Sequence, residues 1–224
     1  MIIKGLQKTS FIDWDGKIVS VLFTAGCNFR CPFCFNKDLV NNSSELVEIP
    51  EKEIFKFLNS RKDFLDGVCI TGGEPTLHKD LPEFIKKMKL PVKLDTNGSN
   101  PAMLAKLIKQ KLIKYIAMDI KAPLEEYQEI TKSKIQISKI KKSINLIINS
   151  GIDHEFRSTL VPGIHTEQDI KKMARLIKNG KRYFLQNFRP KKTLDPKLQK
   201  TKPFADLGDF AKIANQYINT KVRS

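Results

Sequence analysis

Three cysteines lie within one short segment of the chain, and their spacing is the feature with the most direct chemical meaning. Cys27, Cys31 and Cys34 form a C-x3-C-x2-C pattern. A structural zinc site takes four ligands, so three thiolates leave it incomplete, whereas an iron–sulfur cube held by three cysteines keeps one iron free to bind a substrate. The spacing therefore predicts a reactive metal centre rather than a structural one.

The fourth cysteine leaves one alternative open. Cys69 lies apart in an apolar run, and because free cysteine packs like a small hydrophobic residue, we expect a buried strand thiol there. So few cysteines, three of them in one segment, cannot build a disulfide framework, which indicates a reducing compartment. A non-catalytic zinc-binding module, with Cys69 or His78 as a distant fourth ligand, is the competing hypothesis.

Length and composition are typical of a globular protein. The chain has 224 residues, of which 41% are hydrophobic and 29% charged, enough for one large core. Its opening residues lack an apolar secretory segment, and its apolar stretches are too short to cross a bilayer. We therefore expect a cytoplasmic protein without membrane contact.

The net charge is strongly positive and unevenly distributed. Of the formal +16, residues 131–224 carry 21 Lys and Arg against 7 Asp and Glu, whereas residues 1–130 carry 19 against 17. A one-sided basic surface favours an acidic protein partner or a nucleic acid, since long-range attraction speeds their encounter. Lysine-rich helix faces that are simply solvated would give the same distribution.

Apolar runs bounded by turn residues alternate with helical patterns along the chain. Strands are predicted at residues 18–24, 68–71, 92–96, 115–120, 155–161 and 183–188. Strands joined by crossover helices pair in parallel, and repeated right-handed units curl into a barrel. The six units predict an α/β fold, a partial (β/α)6 TIM-like barrel with a parallel sheet and an open lateral side.

Helix signals lie between these strands and after them. Ser138 could cap a helix, and Thr166 with Asp169 resembles a capping box. Pro82 and Pro101 suit the first turns of two further helices.

The C-terminal part of the chain is less regular. Residues 190–203 are rich in lysine and proline without periodicity and indicate a loop, and residues 204–218 have an apolar side typical of a closing helix. We therefore expect a barrel at residues 1–190 and a basic linker with a closing helix at residues 191–224, both parts of one domain.

Polar motifs follow the predicted strands at the same end as the cysteine segment. They are Gly72-Gly73-Glu74-Pro75, Asp95-Thr96-Asn97-Gly98, Asp119-x-Lys121 and Arg157-x3-Val161-Pro162-Gly163. The C-terminal ends of parallel strands meet at one edge of the sheet, and sites assemble there. Each motif alone would also suit an ordinary turn or surface ion pair, but together with the cysteines they converge on one rim.

Two of these features together resemble the radical S-adenosylmethionine (SAM) superfamily: the cysteine pattern, with Phe33 before its third cysteine, and the Gly-Gly-Glu-Pro turn. This likeness extends over about residues 1–190 in the order of the motifs. The motifs at Asp95, Asp119 and Arg157 carry a narrower likeness to activating enzymes of glycyl-radical enzymes, above all the anaerobic ribonucleotide reductase type and also the pyruvate formate-lyase type. The Asp-Gly-Pro-Gly turn of the latter type is replaced by Asp-Trp-Asp-Gly at residues 13–16, which leaves the partner open.

The resemblance implies a [4Fe–4S] cluster held by Cys27, Cys31 and Cys34, with SAM bound to the fourth iron. It implies that an electron from a flavodoxin- or ferredoxin-like donor cleaves SAM to a 5′-deoxyadenosyl radical, which takes a hydrogen atom from a glycine of a partner enzyme. Lys121 and Arg157 would act with the cysteines at the catalytic centre.

The resemblance also implies which residues bind SAM. They are Phe33, Phe35, Asn36, Gly72, Gly73, Glu74, Pro75, Asp95, Thr96, Asn97, Asp119, Lys121 and Arg157. Phe33 would pack on the adenine, the glycines would let the backbone meet the ammonium group, and the two cations would meet carboxylate or hydroxyl oxygens. The oxygens of Asp95 and Asn97 would meet the ribose hydroxyls or, together with Asp119 and the Met118 carbonyl, a monovalent cation.

A second enzyme hypothesis keeps the radical SAM chemistry and changes the substrate. The C-terminal basic excess would suit an enzyme that acts on a small molecule or a nucleic-acid base, such as a 7-carboxy-7-deazaguanine synthase or an RNA-modifying enzyme. Against it, that part of the chain has only scattered aromatic residues and no platform for stacking bases. A nucleic-acid partner therefore ranks below a protein partner.

Overall fold

One sheet organises the protein. In the computed structural model, which describes residues 1–41 and 43–223, eight strands pair in the order β1 to β8. The strands are β1 Ile3–Ser10, β2 Val19–Thr24, β3 Gly67–Gly72, β4 Val92–Thr96, β5 Tyr115–Asp119, β6 Asp153–Leu160, β7 Tyr183–Asn187 and β8 Thr220–Arg223. β1 pairs antiparallel with β2, and each later neighbour pairs in parallel.

Helices connect the strands on the outside of the sheet. They are α1 Lys37–Asn41, α2 Glu51–Ser60, α3 Leu81–Lys86, α4 Pro101–Lys109, α5 Tyr127–Thr131, α6 Ile137–Ile148, α7 Glu167–Leu176 and α8 Gly208–Asn215, with short 3-10 turns at Pro75–Leu77, Pro190–Lys192 and Pro196–Lys200. Within the described part of the chain, none of the helices has the length and apolar character needed to span a membrane.

The predicted α/β fold is confirmed. Strands β2 to β7 are the six predicted strands, each within two residues of its expected bounds, and they repeat the strand–helix unit. Of the strands that the structure describes, β1 and β8 stand at the two ends of the sheet, so the partial barrel stays open between them.

The sequence does not predict β1 or β8. β1 lacks a clear alternation of buried and exposed residues. It also contains Gly5, where a Cβ would lie 3.2 Å from the Phe23 ring. β8 has four residues, too few for a periodic signal, and it lies where only a linker and a helix were expected. α8 packs against α7. The division at residue 190 stays a prediction.

The sheet separates two apolar layers. On its outer face the strands pack with the helices in one large core that includes Leu22, Ile70, Ile116, Phe84 and Leu104. The barrel interior holds a smaller cluster, which consists of Trp14, Val19, Val21, Cys69, Tyr115 and Ala117. This cluster fills the barrel toward the N-terminal ends of the strands, where Cys69 is a buried thiol of β3. Polar residues are left at the opposite end.

Helix starts follow the predicted signals in most places. Thr166 and Asp169 form a capping box at α7, and Pro101 lies in the first turn of α4. The predicted cap at Ser138 is wrong, because α6 begins at Ile137 after Gln136 and no side chain caps it. The helix predicted at residues 204–218 is shorter, and two 3-10 turns interrupt the predicted loop before it.

The Thr166→Ala substitution should lower the free energy of unfolding by about 1 kcal/mol, because the helix loses a capping acceptor. Ser138→Ala is the matched control and should change that free energy by less than about 0.5 kcal/mol, since Ser138 is exposed and caps nothing. Chemical denaturation of both variants measures the difference. Equal losses would contradict the assigned caps.

Candidate functional site

The cysteine loop leaves the C-terminal end of β2 and lies close to the loop after β3. The Gly26 carbonyl accepts a hydrogen bond from the Glu74 N–H at 2.8 Å, and the Gly73 N–H donates to the Thr24 carbonyl at 2.9 Å. A Cβ at residue 73 would lie 1.8 Å from the Gly26 carbonyl oxygen, so this approach requires glycine. The Gly-Gly-Glu-Pro turn therefore holds the cysteine loop in place.

Loops after two other strands hold the same segment. The Arg30 N–H donates to the Thr131 carbonyl, at the end of the helix that follows β5, at 2.8 Å. The Pro32 carbonyl accepts from the Asp195 N–H, beyond β7, at 2.8 Å. The cysteine loop thus extends from β2 across the C-terminal end of the barrel, where it is anchored to elements that follow β5 and β7.

Asn28 joins the cysteine loop to the loop after β4, although no sequence motif marks it. Its Oδ1 accepts from the Asn97 amide at 3.0 Å and from the Ser99 hydroxyl at 3.3 Å. The Oδ1 of Asn97 accepts from the Ser99 N–H at 2.9 Å. The Asn97 side chain therefore joins the cysteine loop to the loop after β4, and its contact with SAM stays a prediction.

The three thiols of the loop are close enough to influence one another. All are free, with Cys31 buried and Cys27 and Cys34 partly exposed. Burial raises the pKa of Cys27 to about 11 and the pKa of Cys31 to about 12, and a thiolate at Cys34 would raise both. The thiols are therefore protonated at neutral pH, and a metal centre must displace their protons.

Three cysteine thiols on one loop are the donor set of an iron–sulfur cube that keeps one iron open. Among the residues that the structure describes, no three Cys, His, Asp or Glu side chains are grouped closely enough to hold one metal ion. A closed zinc site would need a fourth ligand. His78 hydrogen-bonds to the Ala25 carbonyl at 3.0 Å, so the zinc-module hypothesis gains no support.

Glu74 is buried and joins the loops after β3 and β4. One oxygen accepts from the Thr96 hydroxyl at 2.7 Å and from the Thr76 N–H at 3.1 Å. The other accepts from the Asn97 N–H at 2.6 Å. Burial raises the pKa of Glu74, and these hydrogen bonds oppose the rise. Both oxygens are used within the protein, so Glu74 is a positioning residue, and Pro75 after it begins a short turn.

Charged side chains at the C-terminal ends of β4, β5 and β6 form one group, the charge array of Asp95, Asp119, Lys121 and Arg157. The Arg157 guanidinium donates to Asp119 and to Asp95, both at 2.9 Å. The Lys121 ammonium donates to the second oxygen of Asp119 at 2.9 Å. Burial alone would raise the pKa of Asp119, but the two cations hold it at about 2. Asp119 is therefore ionised at neutral pH and lies between two cations.

A second ionic group lies beneath the charge array inside the barrel. Lys93 and Glu155 are each 1% exposed, and the Lys93 ammonium lies 3.6 Å from the Glu155 carboxylate. Arg223 of β8 donates to both oxygens of Glu155, at 3.0 and 3.1 Å. Losing one member of a buried ion pair would leave an uncompensated charge, so these contacts fix β4, β6 and β8 below the array.

Two residues outside the motifs fix the backbone around Lys121. The Tyr127 hydroxyl donates to the Asp119 carbonyl at 3.3 Å and accepts from the Lys121 N–H at 3.4 Å. The Nδ1 of His165 accepts from the Val161 N–H, so its Nε2–H donates to the Lys121 carbonyl at 2.9 Å. His165 acts on a loop 44 residues before it, and Tyr127 acts on backbone groups six and eight residues before it, so neither contact follows a recognised sequence motif.

The residues predicted to meet the adenine differ in their surroundings. Phe33 is 6% exposed, and its ring meets the His165 ring edge-on at a centroid separation of 5.8 Å. Phe35 is 50% exposed. The Asn36 amide donates to the Gly72 carbonyl at 3.1 Å. Phe33 is thus packed within the protein, and Phe35 is the ring with room to contact a ligand.

One buried atom of the charge array has no hydrogen-bond partner among the described residues, the Oδ1 of Asp95. Lys93 lies 3.8 Å away, too far for a hydrogen bond. SAM carries ammonium and hydroxyl donors that would satisfy this oxygen, and a carboxylate that would suit Lys121 and Arg157. The residues present therefore fit SAM beside the array and a [4Fe–4S] cluster on the three thiols.

The sequence of this chain is similar to those of known proteins. Residues 21–177 match the radical SAM superfamily. A protein of Methanocaldococcus jannaschii, named provisionally as a glycyl-radical enzyme activating enzyme, is 34% identical over 232 residues, which cover 99% of this chain and 95% of the relative. The pyruvate formate-lyase-activating enzyme of Clostridium pasteurianum is 28% identical over 188 residues, which cover 79% of this chain and 76% of the relative.

Crystal structures of SuiB from Streptococcus suis share the fold. SuiB bound to SAM aligns with a TM-score of 0.66 at 19% identity, over 92% of this chain and 50% of SuiB. SuiB bound to its precursor peptide SuiA aligns with a TM-score of 0.67 at 19% identity, over 92% of this chain and 48% of SuiB. This chain spans about half the length of SuiB. With the superfamily match over most of its residues, the chain belongs to the radical SAM superfamily.

Proposed function

We propose that this protein is a radical SAM activase that installs a glycyl radical on a partner enzyme. The observation that carries the proposal is the position of the cysteine loop beside the charge array. The Lys121 ammonium is close enough to Cys31 and Cys34 to oppose the rise that burial causes in their pKa values. A cluster with three protein ligands would keep one iron open near groups that suit SAM.

When bound, the cluster and SAM supply one-electron reduction of a sulfonium and homolytic cleavage of its carbon–sulfur bond. The protein's own residues bind and orient. Arg157 and Lys121 offer N–H donors to carboxylate and hydroxyl groups, and the free oxygen of Asp95 accepts a donor. Gly72 and Gly73 keep backbone atoms near the cysteine loop, which brings the reacting groups together.

The activase function in particular is supported by the relatives. The provisional glycyl-radical enzyme activating enzyme aligns over 99% of this chain and 95% of its own length, so the likeness is not confined to the cofactor-binding core. The opening between β1 and β8 gives a macromolecular substrate access to the barrel. We therefore favour a glycine of a protein over a small molecule or a nucleic-acid base as the substrate.

A monovalent cation remains a prediction. The oxygens that would hold it are the free Oδ1 of Asp95 and the partly exposed carboxylate of Asp119. Two cationic side chains already neutralise these carboxylates, so we expect any added cation to tune SAM binding rather than to create the site.

Replacing Cys27, Cys31 or Cys34 by alanine should abolish cluster assembly and SAM cleavage, because each thiolate holds a different iron. Cys69→Ala is the matched control and should retain both. Anaerobic reconstitution followed by iron and sulfide analysis measures the cluster, and 5′-deoxyadenosine formed with SAM and dithionite measures cleavage. Cluster loss in the Cys69 variant, or colourless wild-type protein that holds one zinc ion, would overturn the assignment.

Glu74→Gln should weaken SAM binding about tenfold and leave the iron content unchanged. A buried, mismatched hydrogen bond costs about 1.4 kcal/mol, which corresponds to a tenfold change in affinity. The new amide group faces N–H and hydroxyl donors that need an acceptor, so the loops after β3 and β4 shift apart. Glu48→Gln, at an exposed position, is the control. SAM titration of the reconstituted variants decides, and unchanged affinity would count against the positioning role.

The activase function itself is tested with candidate glycyl-radical enzymes as partners. Anaerobic incubation of the reconstituted protein, SAM, dithionite and one such enzyme should produce a glycyl doublet in the EPR spectrum. A partner variant with alanine at the radical position should give none, and deuterium at the glycine α-carbon should appear in 5′-deoxyadenosine. SAM cleavage without a doublet in any of these partners would favour the small-molecule or nucleic-acid hypothesis.

A further inference from the structure

The strongest unexplained feature is a basic segment, defined as residues 189–202, which the catalytic site does not use. It contains six exposed cations, Arg189, Lys191, Lys192, Lys197, Lys200 and Lys202. Asp195 is its single carboxylate, and this group accepts a hydrogen bond from the Lys197 N–H at 2.9 Å. The segment therefore presents a strong positive charge to solvent.

The basic segment is fixed against the protein. Thr193 is 1% exposed, and its hydroxyl donates to the Asp195 carbonyl at 2.7 Å. Leu198 packs against the main core. The Asp195 N–H donates to the Pro32 carbonyl at 2.8 Å. The segment that carries the cations is thus anchored to the backbone of the cysteine loop.

The six cations have no partner of opposite charge within the described chain. None of the ion pairs among residues 1–41 and 43–223 involves them. Such a surface attracts a molecule that brings negative charge of its own, and the attraction speeds encounter at low salt. The segment contains no aromatic residue on which bases could stack, which favours an acidic protein over a nucleic acid.

The position of the basic segment indicates what that protein does. Pro32 lies between Cys31 and Cys34, so the segment touches the metal-binding loop between two of its proposed ligands. The charge array, which suits SAM, lies at the strand ends inside the barrel, where the Asn97 amide after β4 is 3.8 Å from the Cys27 sulfur. A protein seated on the basic segment would therefore lie next to the cysteine loop.

Reductive cleavage of SAM, the activity proposed above, consumes one electron that neither SAM nor the side chains of this protein supply. Resting on that proposed function, we infer that the basic segment is the docking surface for an acidic one-electron carrier protein. In the docked complex the carrier loses one electron and the enzyme's metal centre gains it. No bond is formed or broken in this transfer, and no proton needs to move.

The test compares two electron sources in the reconstituted holoenzyme. The variant K191E/K192E/K197E reverses three charges of the basic segment, and K139E/K141E/K142E makes the same change on the exposed face of α6. A reduced plant-type [2Fe–2S] ferredoxin serves as the acidic protein donor, and dithionite serves as a small donor that needs no docking surface. The readout is the initial rate of 5′-deoxyadenosine formation, with iron content as a check on folding.

We expect the basic-segment variant to lose about tenfold or more of the ferredoxin-driven rate at low salt while its dithionite-driven rate stays within about twofold of wild type. The α6 variant should keep both rates. The ferredoxin-driven rate of wild type should fall as salt rises, which tests the inference without any substitution.

Other outcomes separate the two proposals. If the basic-segment variant keeps the ferredoxin-driven rate, or if salt leaves the wild-type rate unchanged, the docking surface is wrong while the enzyme assignment stands. If the variant instead loses binding of a poly(U) RNA and keeps the ferredoxin-driven rate, the segment is a nucleic-acid surface. If wild type fails to cleave SAM even with dithionite, the proposed function itself fails.

Discussion

The cysteine loop can hold a metal centre because it is tied to the barrel at several separate points. Backbone hydrogen bonds join it to the loop after β3, to the end of the helix that follows β5, and to the segment after β7, and Asn28 joins it to the loop after β4. Glu74 lies in the first of these loops, and the charge array lies on and just after strands β4 to β6 of the same barrel. Thiols and charges are therefore held in one frame, and a shift of the barrel loops would move the thiols relative to the groups that suit SAM.

Charge balance determines what the mouth of the barrel can bind. Two carboxylates and two cations make up the array, so it is close to neutral as a whole and yet strongly polar within a few ångströms. Such a surface suits a ligand that carries both signs, such as an amino acid group with its ammonium and carboxylate. Below the array, Glu155 forms ion pairs with Lys93 and Arg223. These pairs hold β4, β6 and β8 in register, and a purely apolar barrel would lack such fixed charges.

The sequence predicts the parallel core of the fold and the chemistry of the cysteine loop, because both depend on local patterns. The six central strands are apolar runs between turn residues, and the capping box at Thr166 is a four-residue signal. The sequence does not predict β8, because the position of this strand depends on pairing with β7 and on the ion pair between Arg223 and Glu155, which lie far apart in the chain. The roles of Asn28 and His165 are not predicted for the same reason, since each acts on groups that only the folded chain brings near.

If three cysteines hold an iron–sulfur cube, one iron is left to bind SAM. Mössbauer spectroscopy of protein reconstituted anaerobically with ⁵⁷Fe, with and without SAM, measures this, because each iron contributes separately to the spectrum. We expect SAM to shift the signal of one iron in four and to leave the other three in place. A spectrum that SAM does not change, or one in which all four irons already have sulfur ligands from the protein, would contradict it.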